Sequence, residues 1–265
     1  MPEDQSSVLC EIDHRGVATV TLNRPNVNNA YDGKMVTRLL DGVRELAGND
    51  SVRMILLKGN GKHFQAGADL AWLTEVRNAS PEENLEVSRR TTNAVRELDQ
   101  CMKPTVALVH GACFGGGTGI IAACDVVIAS DDAVFSIAEV RWGLHAGPII
   151  PQLAAAIGPR QVRRYAITAE RFDAATAEAL GLVHAVCERD DLEATGARIV
   201  DAILMNGPGA VAETKRILFE TSGLYIDDEL AEKLAGGHSR QRQTDEASEG
   251  LQSFAEKRNA SWYID

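Results

Sequence analysis

Positive charge is in short supply in this sequence. Its 265 residues carry 27 Lys and Arg against 38 Asp and Glu, a formal net charge of −11 at pH 7. So acidic a surface repels nucleic-acid phosphates and anionic lipid headgroups, and neither is expected as the main partner. A phosphorylated small molecule stays open, because a few local cations suffice to hold it. Cysteine is also thin. There are five, scattered, with no C-x-x-C pair, which argues against a disulfide framework and paired zinc ligands. Cys113 and Cys124 flank a glycine run at apolar positions and read as small core residues. No apolar run is long enough to span a bilayer. The opening MPEDQSSV lacks the basic and apolar regions of a signal peptide, so a reduced cytoplasm is the expected location. Several catalytic signatures are missing as well: no phosphate-loop Gly-Lys-Ser/Thr, no H-E-x-x-H and no G-x-S-x-G occurs.

Glycine at the right places is what the chain does have. Thr105–Val109 is short, β-branched and apolar, bounded by Pro104 and Gly111, and reads as a buried strand. Gly115–Gly119 follows and opens a short apolar helix through Ile120–Ala123. Bare backbone N–H groups at a helix start favour an anion, either a permanent phosphate or an oxyanion that exists only during a reaction. The spacing Gly115-Gly116-Gly117-Thr118-Gly119 does not give the dinucleotide pattern G-x-G-x-x-G, and it lies mid-chain. A second turn has the same character. Ala66-Gly67-Ala68 also leaves a buried strand and opens a helix, near Leu70. One N–H from each turn, converging on one oxygen, would make an oxyanion hole from main chain alone.

Around these turns the chain alternates strands and helices. Val8–Ile12 and Val17–Leu22 read as a hairpin, and Asp32 caps a helix whose apolar face runs from Met35 to Leu46. Ser80-Pro81-Glu82-Glu83 is a capping box starting a helix to about Asp99. Strands are expected at Val126–Ala129, Ala133–Phe135 and Val183–Val186, and helices at Pro151–Ile157, Gln161–Ile167 and Ala174–Leu180. Beyond Asp190 the pattern is helical only, which divides the chain into a core, 1–190, and a helical C-terminal module, 191–265. Such modules often serve oligomerisation.

The segments FQAGADL, HGACFGGGTGIIAACD and FSIAEVRWGL resemble, in order and spacing, the crotonase (enoyl-CoA hydratase/isomerase) superfamily. LNRP near the start, AERFDAATAEALGLVHAV after the core and FAEKRNASW at the end extend the likeness over nearly the whole chain. The resemblance implies an α/β fold, a spiral of repeated ββα units with a helical C-terminal module, assembled as a homotrimer or homohexamer. It implies an acyl-CoA thioester as substrate, with coenzyme A part of that substrate and no separate cofactor or metal. By position, the N–H groups of Ala66 and Gly116 would form the oxyanion hole, and Glu139 would be the catalytic acid/base. Arg24, Ala30, Ala68, Asp69 and Leu70 fall where the family lines its CoA channel. Phe254 and Lys257 match residues that reach the nucleotide end, often from a neighbouring subunit.

The sequence departs from the two-glutamate hydratase pattern at Gly119, where the first catalytic Glu would stand. One Glu suits hydration, and it also suits a Δ3,Δ2-enoyl-CoA isomerase, which moves one proton. A non-catalytic acyl-CoA binding protein is the reading from outside enzymes. The signature is most similar to a bacterial subgroup acting on branched glutaconyl-CoA thioesters, 3-methylglutaconyl-CoA and isohexenylglutaconyl-CoA, in leucine and acyclic terpene breakdown. There, Gly119 would make room at the β-carbon. Trp142 and His145 depart from the more usual proline-rich segment, and His145, Arg141 and Arg77 are candidate partners for a distal carboxylate.

Overall fold

The computed structural model describes residues 6–223 and 225–261. The first five residues, and Trp262 in the C-terminal motif, lie outside them. β1 (Val8–Ile12) and β2 (Val17–Leu22) form the expected hairpin, in the register Val8↔Leu22. One Asp13 oxygen accepts from the N–H groups of Arg15 (2.8 Å) and Val17 (2.9 Å), closing the turn. β3 (Met54–Gly59), β5 (Thr105–Val109), β7 (Val126–Ser130) and β10 (Ala185–Cys187) then add in parallel, giving the order β1-β2-β3-β5-β7-β10. β5 is buried at every residue, as a central parallel strand covered on both faces should be.

A second sheet is built from pieces of two or three residues: β4 (Gln65–Ala66), β6 (Ala112–Phe114), β8 (Val134–Ser136) and β9 (Phe172–Asp173), in the order β4-β6-β8-β9. Each spiral turn places a strand in the larger sheet and a short one in the smaller. The first-sheet strands hold the core. The second-sheet strands carry the site.

Helices cover the sheets. α1 (Gly33–Gly48) is capped by Asp32, whose side chain accepts from Met35 N–H at 2.8 Å, and it buries Met35, Leu39, Val43 and Leu46 in the main core. α2 (Leu70–Asn78) and α3 (Pro81–Asp99) follow, the latter with its capping box formed in both directions. α4 (Gly116–Ala122) is the helix opened by the glycine run. The two helices expected at 151–157 and 161–167 are one kinked element, α5 (Ile150–Thr168), bent where Gly158 takes φ +75° before Pro159. α6 (Ala174–Leu180) ends at Gly181 as expected. The strand expected at 183–186 lies two residues later, because Leu182 and Val183 are buried in the turn that precedes it.

The C-terminal helices are α7 (Leu192–Leu204), α8 (Pro208–Ser222), α9 (Asp228–Arg242) and α10 (Asp245–Ala255). α7 lies on the larger sheet, burying Leu192 and Val200 with Val106, Leu108 and Ile128. Gly196 permits that approach, since a Cβ there would stand 2.7 Å from Leu108 Cδ2. α9 packs along α3. α10 folds back over the turn after β8 at two glycines. A Cβ on Gly143 would stand 2.5 Å from the Glu246 carbonyl oxygen, and one on Gly250 would stand 2.8 Å from Trp142 Cα.

Candidate active site

The two small-residue turns meet because β4 and β6 are parallel neighbours, with Gln65 opposite Cys113 and Ala66 opposite Phe114. Just past that register Gly67 and Gly115 lie together, a Cβ on Gly115 standing 3.8 Å from Gly67 Cα, while Ala68 bridges to Tyr31. Both glycines adopt positive φ, +93° at Gly67 and +52° at Gly115, conformations that side chains disfavour. Buried Gln65 ties the first turn: its amide donates to the Gly67 carbonyl (3.2 Å), and its oxygen accepts from Gly67 N–H (3.0 Å). Gly117 must stay bare for the same reason, because a Cβ would stand 2.6 Å from that Gln65 oxygen.

Following each N–H in these turns corrects one expectation. Ala66 N–H donates to the Asn28 carbonyl at 3.1 Å, so it is not free to hold an oxyanion. Gly67 N–H is committed to Gln65, Asp69 N–H to the Tyr31 carbonyl and Gly115 N–H to the Ser136 carbonyl. Among the described residues, the N–H groups of Ala68 and of Gly116 and Gly117 at the start of α4 donate to no protein acceptor, whereas Thr118 N–H donates to the Gly115 carbonyl (2.9 Å). The N–H groups free to hold an oxyanion therefore include those of Ala68 and Gly116, and not that of Ala66. The sequence pattern located the turn, but the unpaired N–H lies two residues further on, past the positive-φ Gly67.

Glu139 stands against this pair. It opens a one-turn helix, Glu139–Trp142, just after β8, and its Oε1 is 3.0 Å from where a Gly115 Cβ would be. Its Oε2 is buried with no hydrogen-bond partner among the described residues. Burial pushes the carboxyl up to about 7, only partly offset by its own backbone N–H. Near neutrality such a group both takes and gives a proton readily. The remaining surface of Glu139 faces a cavity of about 460 Å³, walled mainly by apolar side chains such as Met35, Leu39, Val95 and Ile120.

Other expected residues divide. Ala66, Ala68, Leu70, Gly116, Trp142, His145 and Phe254 line the cavity. Phe254 reaches it from α10 of the same chain, edge-on to Trp142 with ring centroids 4.5 Å apart. Arg24, Ala30 and Asp69 form a clasp instead. Arg24 pairs with Asp32 and Asp69, each at 3.1 Å, and donates to the Ala30 carbonyl, while Asp69 also caps α2. Lys257 is exposed beyond α10. Arg141 lines the cavity but donates twice to the Ala169 carbonyl (2.9 and 3.2 Å). Arg77 lies on α2 beside Asn78, outside the lining.

Gly119 requires a second correction. It is buried, and a Cβ there would stand 2.5 Å from Ile149 Cβ and closer still to Ile149 Cγ2. The space expected for a substrate branch is filled by Ile149, which itself forms cavity wall. Residues that the sequence did not single out are Tyr31, whose ring packs over Gly116, Ile149, and the pair His238 and Arg242. Burial and the charge of Glu139 push the Tyr31 phenol up. The i,i+4 spacing of His238 and Arg242 was visible, but a basic last helical turn ordinarily faces water.

Comparison with known proteins agrees with this geometry. Residues 13–264 match the enoyl-CoA hydratase/isomerase family. The chain is 31% identical over 256 residues to the mitochondrial Δ(3,5)-Δ(2,4)-dienoyl-CoA isomerase of Dictyostelium discoideum, covering 93% of this chain and 87% of that one. It is 30% identical over 256 residues to mevalonyl-coenzyme A hydratase of Aspergillus fumigatus, covering 93% and 91%. An enoyl-CoA hydratase structure from Shewanella pealeana superimposes with a TM-score of 0.79 at 36% identity, covering 97% of this chain and 96% of that one. With its spiral fold, its paired main-chain donors and its buried glutamate, the chain belongs to the enoyl-CoA hydratase/isomerase family, the crotonase superfamily.

Proposed function

We propose that this protein hydrates a 2-enoyl-CoA thioester, with a branched 3-substituted glutaconyl-CoA as its substrate. The observation that carries the reading is Glu139, a carboxyl held near neutrality beside two free N–H groups. The thioester carbonyl accepts from Ala68 and Gly116, which polarises the conjugated double bond and holds the enolate charge. Glu139, as carboxylate, takes a proton from water while the water oxygen bonds to the β-carbon. The resulting acid returns that proton to the α-carbon on the same face. One C–O and one C–H bond form, the π bond is consumed, and Glu139 is regenerated. Water adds syn, and no cofactor beyond the substrate's own coenzyme A enters the cycle. Exposed Lys257, three residues after Phe254, suits the nucleotide phosphates. A homotrimer or a dimer of trimers is the proposed assembly, supported by exposed Ile217 and Leu218 on α8.

Isomerisation of a 3-enoyl-CoA is the second reading, and Ile149 favours it. Where a two-glutamate hydratase projects its other carboxylate from the position of Gly119, this cavity has an aliphatic wall. Glu139 would then carry one proton between the α- and γ-carbons. The test is turnover of 3-methylglutaconyl-CoA, crotonyl-CoA and a 3-enoyl-CoA in water labelled at oxygen. Label in a 3-hydroxyacyl product supports hydration. Double-bond migration without label overturns it for isomerisation, and no product from any of the three leaves an acyl-CoA binding protein.

A further inference from the structure

Behind the cavity wall formed by α9 lies a buried charge with no counter-charge among the described residues. Arg242, at the end of α9, is fully buried. Its Nη1 donates to Asn84 Oδ1 on α3 (2.7 Å), and its Nη2 lies 3.1 Å from His238 Nδ1 and 3.5 Å from His238 Nε2. Its Nε has no partner, and no carboxylate pairs with it among the described residues. Asn84 is itself fixed, its amide donating to the Ser239 carbonyl at 2.7 Å. Every group that positions this guanidinium is neutral. A buried cation is normally matched by an anion, because removing an ion from water costs several kcal/mol even after relaxation, on the order of the net stability of a domain. The fold keeps the cost and supplies no anion.

Two imidazoles stand between that charge and the cavity. His238 and His145 both line it, with ring centroids 5.8 Å apart. His145 Nδ1 accepts from Gly147 N–H at 3.0 Å, so the ring proton sits on Nε2, which is left as a donor. That nitrogen lies beside Gly237 of α9, within van der Waals reach of where a Cβ would be (3.7 Å). Burial and the nearby guanidinium hold His238 well below its ordinary pKa and hence neutral. Whichever of its nitrogens accepts from Arg242, the other carries a proton. The cavity end therefore presents imidazole donors backed by one unneutralised positive charge.

We propose that His145, His238 and Arg242 form a receptor for a second carboxylate, carried at the far end of the acyl chain, so that the preferred ligands are dicarboxylic acyl-CoA thioesters. The proposal rests on reading this cavity as the acyl site, and it names the residues that would choose the acyl group. A carboxylate there accepts from the imidazoles and neutralises Arg242. A plain alkyl chain leaves the donors and the charge unmatched, which is the kind of mismatch that discriminates most strongly between ligands. Arg141 and Arg77 are not needed for this role.

Saturated thioesters test the idea without any turnover, so its failure is distinct from failure of the hydratase reading. Calorimetric binding of glutaryl-CoA and adipyl-CoA to the full-length protein is compared with that of the chain-matched butyryl-CoA and pentanoyl-CoA. At least one diacid is expected to bind about 10- to 100-fold more tightly than its partner, the range given by an unmatched buried polar group. Arg242→Gln and His145→Leu should each pull that ratio toward one. If Arg242→Gln fails to fold, His145→Leu and the wild-type ratio still decide. Equal affinities for diacid and monoacid in the wild type, at both chain lengths, overturn the proposal. So does a wild-type preference that survives in folded variants.

Discussion

Gly119 and Ile149 form an interlocked pair, and a double-mutant cycle exposes the lock. In the wild-type fold, a methyl group at position 119 would stand 2.5 Å from Ile149 Cβ. Alanine in place of glycine inside a helix is worth about 1 kcal/mol of favourable propensity. Overpacking a tight core costs about 1–3 kcal/mol. The clash is severe, so Gly119→Ala should destabilise despite the better helix former. Ile149→Gly removes the whole of a nearly buried side chain, Cβ included, at a cost of at least about 2–5 kcal/mol. In the double variant the new methyl enters the space that Cβ and Cγ2 left and the helix preference emerges. Gly119→Ala should therefore stabilise the Ile149→Gly background, with a coupling of about 1–3 kcal/mol. The measurement is the urea midpoint of all four proteins at one concentration, with m-values checked for constancy. Additivity within about 0.5 kcal/mol, or destabilisation of both backgrounds, would refute the packing argument. The same logic governs chemistry: Gly119→Glu alone should damage the fold, whereas with Ile149→Gly the contacts that exclude its Cβ are gone.

Two further outcomes follow from the site. Glu139→Gln should lower kcat by about 10²–10⁴ and abolish the acidic limb of kcat/KM, which in the wild type rises with pH through about 7 as the carboxylate forms. The linked stability has the opposite sign. The folded carboxyl holds its proton up to about 7, whereas the unfolded one loses it near 4.5, so stability should fall between those pH values. The Gln variant should lack that fall, and identical pH–stability curves would count against a buried Glu139. Ala68→Pro, which deletes a free N–H, should cut kcat by about 10²–10³ in a folded protein, and normal turnover there would move the oxyanion hole elsewhere.

Much of this architecture is legible in the chain because local chemistry and tertiary burial agree. Asp32 and Ser80 cap the helices they announce, and the apolar stripe of α1 is the face that meets the core. The second sheet was not legible, since strands of two or three residues are too short for a period to register. Within the site, small residues revealed where the turns lie but not which amide stays unpaired. That depends on Asn28, Gln65 and Tyr31, which are brought in by folding. Gly119 misled for a related reason. A missing side chain reads as space, and only the fold shows that Ile149, thirty residues on, occupies it.

Apart from His145, the proposed carboxylate receptor and the proposed catalytic groups come from different parts of the chain. Ala68, Gly116 and Glu139 sit at the ends of second-sheet strands, locked by Gln65 and by glycines that admit no Cβ. His238, Arg242 and Phe254 come from α9 and α10, held against the core by Asn84 and by the close approaches at Gly143 and Gly250. Tyr31 lies between, within electrostatic reach of both Glu139 and Arg242. Substitutions on the inner faces of α9 and α10 can therefore alter which acyl group fits while the enolate chemistry stays in place. The C-terminal helices supply part of the cavity wall, through His238 and Phe254.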